Sequence, residues 1–369
     1  MIAWRQPVQP VAPFPVALLG VGNVGRALLA RLADWSGGDG GAAIALAYVA
    51  DSRRAYCPVR AMGRQAALLP VGQATPLGAL APGPGDRRVR AIIDATASDA
   101  VAAMHPRWLS HGMHVVTACK LGQGASLDRW RAIRDACAQA ETRYGDRATV
   151  GAGLPLLDTV RALRAGGDRI HAISGVLSGS LAWLLDQHDG RRSFSALVDD
   201  ARAAGLTEPD PREDLSGADV RRKLLILARA ANVPLEESDV RIAPLPALSA
   251  TGDAAMQAHL DDARRGKARL QFVGRLDRVG GHWHARAGLE ALPPDDPLAA
   301  GRGTDNRVAI WSDRYRERPL LIQGPGAGAG ITAAALLDDV LGIARLAAAP
   351  GVRATQASAT VPALLPWPA

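Results

Sequence analysis

Apolar positions in the first part of the chain fall into short runs, each closed by a small or polar turn. Residues 16–19 run into Gly20-Val21-Gly22-Asn23-Val24-Gly25, after which Leu28, Leu29 and Leu32 recur at helical spacing toward Gly37 and Gly38. Three more runs, 42–50, 89–95 and 114–118, read as buried strands. They lead into Asp51-Ser52-Arg53-Arg54, Asp94-Ala95-Thr96 and Cys119-Lys120. Strands alternating with helices predict an α/β fold with a parallel sheet. A ligand of such a sheet belongs at the carboxyl ends of its strands.

Beyond residue 146 the periodicity changes. A Gly-rich turn over 149–155 precedes a helix ending at Gly166, a strand over 171–176 and a helix over 178–187. Residues 205–216 read as a polar, acidic, proline-containing loop, and 217–232 as a helix. Strands are expected at 269–276, 282–290 and 307–312, where His282 and His284 alternate about Trp283. The segment from Gly324 to Gly328 opens a last helix over 331–344. The pattern predicts an extension over 1–15, an α/β domain over 16–145 rejoined by 324–345, an α+β domain over 146–323 and a tail over 346–369.

Composition narrows the function classes. At 48% apolar and 21% charged the chain is not mainly disordered. No apolar run approaches the roughly 18 residues of a membrane helix, and four prolines in the first 15 residues do not make a secretory signal. Cys57, Cys119 and Cys137 form neither a disulfide framework nor a metal motif, so a reducing cytoplasm is expected. The eight histidines form no HExxH, so no zinc site is assigned. The net charge of +7 is dispersed and aromatics are only 4%, which argues against a nucleic-acid partner.

The basic residues carry more information. Of 43, only Lys120, Lys223 and Lys267 are lysine. Arginine serves wherever a bare positive charge suffices, so a lysine asks for a reason. Lysine exchanges a proton and presents a compact ammonium, which arginine does not.

Gly20, Gly22 and Gly25 sit between a strand and a helix, the setting of a Rossmann dinucleotide-binding turn. The helix N-terminus then offers N–H donors to a pyrophosphate. At the next strand end Asp51 suits a ribose 2′-hydroxyl, whereas Arg53 and Arg54 suit a 2′-phosphate. Two guanidiniums against one carboxylate favour NADP, with NAD as the alternative. Lys120 stands at a strand end where a nicotinamide would lie, able to polarise a substrate oxygen. Cys119 has no base near it in sequence and reads as a small buried residue. In the acidic loop, Glu208 and Asp214 can hold an ammonium group. Asp219 and Lys223, four apart, share a helical face. They read equally as a proton-transfer pair or as a capping box from Ser216 beside a surface ion pair.

Val150 to Pro155, Ser174 to Ser180 and above all Gly205 to Arg229 resemble homoserine dehydrogenase, most closely the dehydrogenase half of the bifunctional aspartokinase–homoserine dehydrogenases. The resemblance spans about 16–345. It implies a Rossmann domain, a substrate-binding and dimerisation domain, a nicotinamide cofactor and interconversion of L-homoserine and L-aspartate 4-semialdehyde. It further implies Lys223 as the acid–base residue, Lys120 as its partner and Asp219 as the group orienting Lys223. Glu208, Asp219 and Gly175 would lie at the amino-acid substrate, with Asp214 nearby. Val21, Asn23 and Val24 with the three glycines, Thr96, Ala118, Lys120 and Gly328 would contact the cofactor.

The chain departs from the family pattern in three places. Cys119 replaces an asparagine before the strand-end lysine. The family holds a monovalent cation on backbone carbonyls matching Val150, Ala152 and Leu154 together with an upstream acid, whose place here is taken by Arg147 next to Asp146. A guanidinium at that place argues against the ion. No aspartokinase segment precedes the dehydrogenase-like region, and the tail is short for a regulatory domain, so inhibition by threonine is not expected. The expected protein is a cytoplasmic homodimer. The rival readings are a nicotinamide enzyme for a related amino-acid alcohol or aldehyde, and a cofactor-binding regulator with a decayed site.

Overall fold

A computed structural model of the chain describes residues 13–34, 44–59, 67–80 and 89–348. The first unit runs β1 (Phe14–Leu19), α1 (Asn23–Asp34), β2 (Ile44–Ala50), β3 (Arg54–Val59), β4 (Ala67–Gln73), β5 (Ala91–Asp94), α2 (Asp99–Ala102), α3 (His105–Ser110), β6 (His114–Thr117), α4 (Leu127–Gln139) and β7 (Tyr144–Gly145). Its sheet has the order β4-β3-β2-β1-β5-β6-β7. The five strands from β2 to β7 pair in parallel, and β3 and β4 fold back antiparallel on β2. Gly37 and Gly38, expected to stop the first helix, lie outside the described residues. The expected N-terminal extension is corrected at its end, because Phe14 and Pro15 already pair with β2.

The second unit runs α5 (Leu156–Ala165), β8 (Ile170–Val176), α6 (Gly179–Gln187), α7 (Phe194–Ala203), α8 (Pro211–Leu215), α9 (Ala218–Ala230), β9 (Val240–Ile242), α10 (Ala250–Arg265), β10 (Arg269–Val279), β11 (His282–Leu292), β12 (Asp305–Ser312) and β13 (Leu320–Pro325). Its sheet has the order β13-β12-β8-β10-β11-β9 and is antiparallel except where β9 joins β11. The last helix, α11 (Ala329–Ala348), returns to the first unit. There Ala333, Leu336, Leu337 and Val340 pack in one core with Val16, Leu18 and Leu28.

Helix α9 matters most for the site. It is buried all round from Lys223 to Ala230, packed between α5 on one side and β9, β10 and β11 on the other. A helix buried on every face needs such a setting. Burying Leu224, Leu225, Ile226 and Leu227, each fully enclosed, contributes roughly 1.5–3 kcal/mol per side chain. A helix so fixed is a rigid mount for its first turns.

The acidic loop is not all loop. Pro211 to Leu215 forms α8, capped by the Asp210 carboxylate, which accepts from the Arg212 N–H at 3.1 Å. Proline at the first helical position loses no hydrogen bond, since that N–H has no intrahelical acceptor. Gly217 then turns with φ of 71° into α9. A Cβ there would sit 2.7 Å from the Phe272 ring, so both conformation and space require glycine.

Charged side chains join the two units at the seam after β7. Asp146, fully buried, accepts two bonds of 2.6 Å from the Arg161 guanidinium on α5. Arg147 reaches Asp158 on α5 at 2.7 Å and Asp339 on α11 at 2.9 Å.

Candidate active site

The carboxyl ends of β1, β2, β5 and β6 are tied together by backbone bonds. The Gly20 N–H donates to Ala50 at 2.8 Å, the Ala95 N–H to Leu19 at 2.8 Å and the Ala118 N–H to Asp94 at 3.0 Å. The glycine turn lies in this row. Gly20 has φ of 97°, and a Cβ on it would meet the Ala95 carbonyl at 2.7 Å. A Cβ on Gly25 would fall 2.0 Å from the Gly20 carbonyl oxygen. Gly22 is different, because nothing lies within 4 Å of the Cβ it lacks. The turn's own packing requires Gly20 and Gly25, while Gly22 leaves an open face over the start of α1, where a pyrophosphate fits. Val21 and Val24 are half-buried behind that face and Asn23 is exposed on it.

Asp51 resolves as a turn residue. Its Oδ1 accepts the Arg53 and Arg54 N–H groups at 2.7 Å each, and its Oδ2 accepts the Tyr56 hydroxyl at 2.5 Å. The Tyr56 hydrogen bond, helped by those two backbone donors, holds the Asp51 carboxyl below its usual range. Arg53 and Arg54 are left exposed.

Beneath the cofactor turns lies a polar node that sequence reading missed. Asp94, fully buried, accepts from the Thr96 N–H at 2.9 Å and hydroxyl at 2.6 Å, and from the Thr117 hydroxyl at 3.2 Å. His105 Nε2 stands 3.1 Å from the same carboxylate, and its Nδ1 is 3.0 Å from the Tyr144 hydroxyl. The Thr117 hydroxyl also accepts the Cys119 N–H at 2.8 Å. One carboxylate thus fixes the turns bearing Thr96, Ala118 and Lys120. Cys119 is 3% exposed, and burial, with the nearby Asp94 charge, pushes its thiol up to about 11. That is the small buried residue expected of it, not a nucleophile.

The centre of the site is an ion cluster. Asp219 Oδ2 lies 2.8 Å from Lys223 Nζ and its Oδ1 3.2 Å from Lys120 Nζ. Burial would raise the Asp219 carboxyl, but the two ammonium charges and their hydrogen bonds outweigh it and hold it well below the ordinary carboxylate range. The capping-box and surface-pair reading is therefore corrected. Gly217 occupies the N-cap without a side-chain bond, and the Lys223 side chain is only 10% exposed. Lys223 Nζ also donates to the Leu177 carbonyl at 2.7 Å, which Asn306 Nδ2 approaches at 3.4 Å. With three N–H donors, the Lys223 ammonium keeps one for a ligand. Gly124 lets the Lys120 turn come this close. A Cβ there would lie 2.7 Å from the Lys120 carbonyl and 3.3 Å from the Arg222 carbonyl on α9.

Around the cluster, Asp214 anchors the acidic loop by accepting the Ser180 hydroxyl at 2.7 Å and the Glu208 N–H at 2.9 Å. The exposed Glu208 carboxylate makes no hydrogen bond or ion pair among the described residues. Gly175 is buried at mid-sheet, where a Cβ would press on Leu177 and Val308 at 3.1 Å, so its own packing explains it. Gly328, with φ of 125°, opens α11 facing empty space.

Two models of one protein family match the chain. The homoserine dehydrogenase NAD-binding domain matches residues 20–144, and the homoserine dehydrogenase domain matches residues 155–341. The chain belongs to the homoserine dehydrogenase family. Bifunctional aspartokinase/homoserine dehydrogenase 2 of Escherichia coli K12 is 42% identical over 268 residues, 69% of this chain and 33% of that protein. The chain thus spans about a third of the length of this bifunctional relative. Homoserine dehydrogenase of Emericella nidulans is 32% identical over 371 residues, covering 89% of this chain and 98% of that one. A hyperthermophilic archaeal homoserine dehydrogenase solved with NADPH shares the fold, with a TM-score of 0.69 at 17% identity over 89% of this chain and 97% of that one. No described helix is long and apolar enough to cross a membrane.

The family's cation site lacks its acid here, and one of the three matched carbonyls is already engaged. The Leu154 carbonyl already accepts the Leu156 N–H at 2.8 Å. The Asp146 carboxylate is taken up by Arg161, and Arg147 fills the position of the upstream acid. Val150 and Ala152 are buried, with Ala152 at φ of 51°.

Proposed function

We propose that this chain interconverts L-homoserine and L-aspartate 4-semialdehyde with NADP(H). The observation that carries the reading is Asp219 held between Lys120 and Lys223, two of the chain's three lysines, beside the carboxyl end of β6. A bound nicotinamide would supply or accept the hydride. Lys223, fixed by Asp219 and Leu177, gives a proton to the substrate oxygen during reduction and takes it back during oxidation. Lys120 stabilises the charge that develops on that oxygen. Glu208 pairs with the substrate ammonium, and Asp214 holds the Glu208 backbone in place. Buried Leu224 to Leu227 keep Lys223 from swinging away.

The direct test follows nicotinamide absorbance with purified protein, L-homoserine and NADP, and with the semialdehyde and NADPH. Turnover in both directions is expected. Cofactor binding without turnover on either substrate would sink the assignment. The same assay should give equal rates in sodium, potassium and choline buffers, because Arg147 and Arg161 supply the positive charge at the seam. Several-fold stimulation by one metal ion would restore the carbonyl site.

The reading of NADP over NAD rests on Asp51, whose two oxygens are engaged by the turn that presents Arg53 and Arg54. Guanidiniums bind phosphate through two parallel donors. Replacing both arginines by serine should lower the NADP-to-NAD ratio of kcat/KM by at least about tenfold, one lost charge-assisted bond being worth roughly 1.5–3 kcal/mol. An unchanged ratio would move the selectivity elsewhere. We also infer a homodimer formed through the second unit. Its edge strand β13 is open, and Leu321 on it is 37% exposed. A monomer mass by light scattering at micromolar concentration would remove that reading.

A further inference from the structure

A cavity of about 910 Å3 opens at the end of the first sheet opposite the glycine turn. Arg90, His114 and Arg143 line it from the amino ends of β5, β6 and β7. Most of the rest of its wall comes from α4, the C-terminal parts of α5, α9 and α11, and the turns that follow α4 and α9. Six arginines face it, the others being Arg134, Arg161, Arg164 and Arg229, and Glu141 is the one acidic residue in the lining.

These guanidiniums are short of counter-charge. Arg161 is matched by Asp146, and Arg229 lies 4.0 Å from Glu236. Arg90, Arg134, Arg143 and Arg164 meet no carboxylate within ion-pair distance among the described residues. With Asp158 and Asp339 paired to Arg147 and Glu237 to Arg221, six guanidiniums against Glu141, Asp146 and Glu236 leave an excess of three. The four helix ends oppose it with about half a charge each. That offsets about two and explains part of the cluster, but it leaves the cavity positive and several forks without an anion.

Three of the forks are also held in place. The Arg134 guanidinium lies 4.6 Å from the Trp130 ring centre and donates to Asn232 Oδ1 at 2.9 Å. Arg164 donates to the Ala230 carbonyl at 3.2 Å. Arg229, with no exposed side-chain surface, donates to the Gln123 carbonyl at 2.5 Å. Burial, followed by the Arg90 and Arg143 charges, pushes the His114 imidazole down to about 4, so it adds no charge at neutral pH. Ile133, Ile343 and Leu346 supply an apolar wall between the guanidiniums.

We propose that this cavity is a second binding site, for a small molecule carrying a phosphate or carboxylate group on an apolar body. Planar forks fixed before binding suit such oxyanions, and the volume is that of a metabolite pocket. Occupancy bridges α4 and α11 of the first unit to α5 and α9 of the second. Because α9 carries Asp219 and Lys223, the site is placed to act as an effector site. The proposal does not depend on the dehydrogenase reading, and its test does not use turnover.

The test measures thermal unfolding with saturating NADP, which occupies the cofactor turn. Phenyl phosphate, benzoate, inorganic phosphate and sodium chloride are compared at equal ionic strength. Phenyl phosphate or benzoate should raise Tm beyond the chloride control, and whichever acts identifies the oxyanion. The shift should fall by at least half in an Arg143→Gln, Arg164→Gln double variant. In Glu141→Gln, which removes the acid in the lining, it should grow. No shift beyond chloride overturns the proposal, and an equal shift in the double variant shows an ionic effect only. If the double variant does not fold, an unchanged shift in Glu141→Gln overturns it alone.

Discussion

Replacing Lys223 by alanine is expected to lower turnover by about 10²-fold or more while leaving cofactor affinity within about twofold, the loss being that of a positioned general acid–base group. The side chain is 10% exposed, and two of its three donors are fixed by Asp219 and the Leu177 carbonyl. One N–H is left for the substrate oxygen, so a displaced or permanently charged group is not expected to substitute. Lys223→Arg should therefore fall nearly as far, since guanidinium does not exchange its proton. Folding should survive both changes. Asp219 keeps Lys120 at 3.2 Å, and Asn306 still approaches the orphaned Leu177 carbonyl. The checks are kcat by nicotinamide absorbance and cofactor binding by fluorescence. Near-normal turnover in Lys223→Arg would refute the assignment.

The glycines of the first turn should separate cleanly. Gly25→Ala places a Cβ 2.0 Å from the Gly20 carbonyl oxygen, a backbone atom with nowhere to go. A loss of about 3 kcal/mol of stability, or failure to fold, is expected of such overpacking. Gly22→Ala meets no protein atom within 4 Å. Its Tm without cofactor should match wild type, while affinity for NADP falls by at least about tenfold, because the methyl group occupies the space a pyrophosphate approaches. Unfolding curves and cofactor titrations on both variants read this directly. Equal Tm losses in the two would mean that the turn is only a packing motif.

Much of the arrangement was legible because its signals are local. Strand runs leading into Gly20, Asp94 and Lys120 put those residues at one edge of the sheet by local pattern alone. Lysine scarcity marked Lys120 and Lys223 independently of their surroundings. Within the acidic loop, Asp210-Pro211 is a readable helix start, though the whole of 205–216 reads as a proline-containing loop. The helices α2, α3, α4, α7 and α10 and the strands β3, β4, β7, β9 and β13 had no separate expectation. Weakly patterned segments of that kind are fixed by the partner they pack on. Asp219 could not be decided locally, since the residue that settles it, Lys120, lies ninety-nine positions earlier. The Asp94–His105–Tyr144 node has the same character, with no periodicity to join its members. Asp51 suited a ribose hydroxyl in sequence because the groups that engage it, two backbone N–H groups and the Tyr56 hydroxyl, leave no local pattern.

The Lys120–Asp219–Lys223 cluster has one further consequence. Lys120 follows β6 in the first unit, whereas Asp219 and Lys223 stand on α9 in the second. Neither unit by itself contains the reacting set. In the proposed reaction the carboxylate that aligns the proton donor also ties one unit to the other, so chemistry and assembly share a bond pattern. On that assignment, a change that parts the units by the length of a hydrogen bond is expected to lower turnover without touching any residue of the cluster.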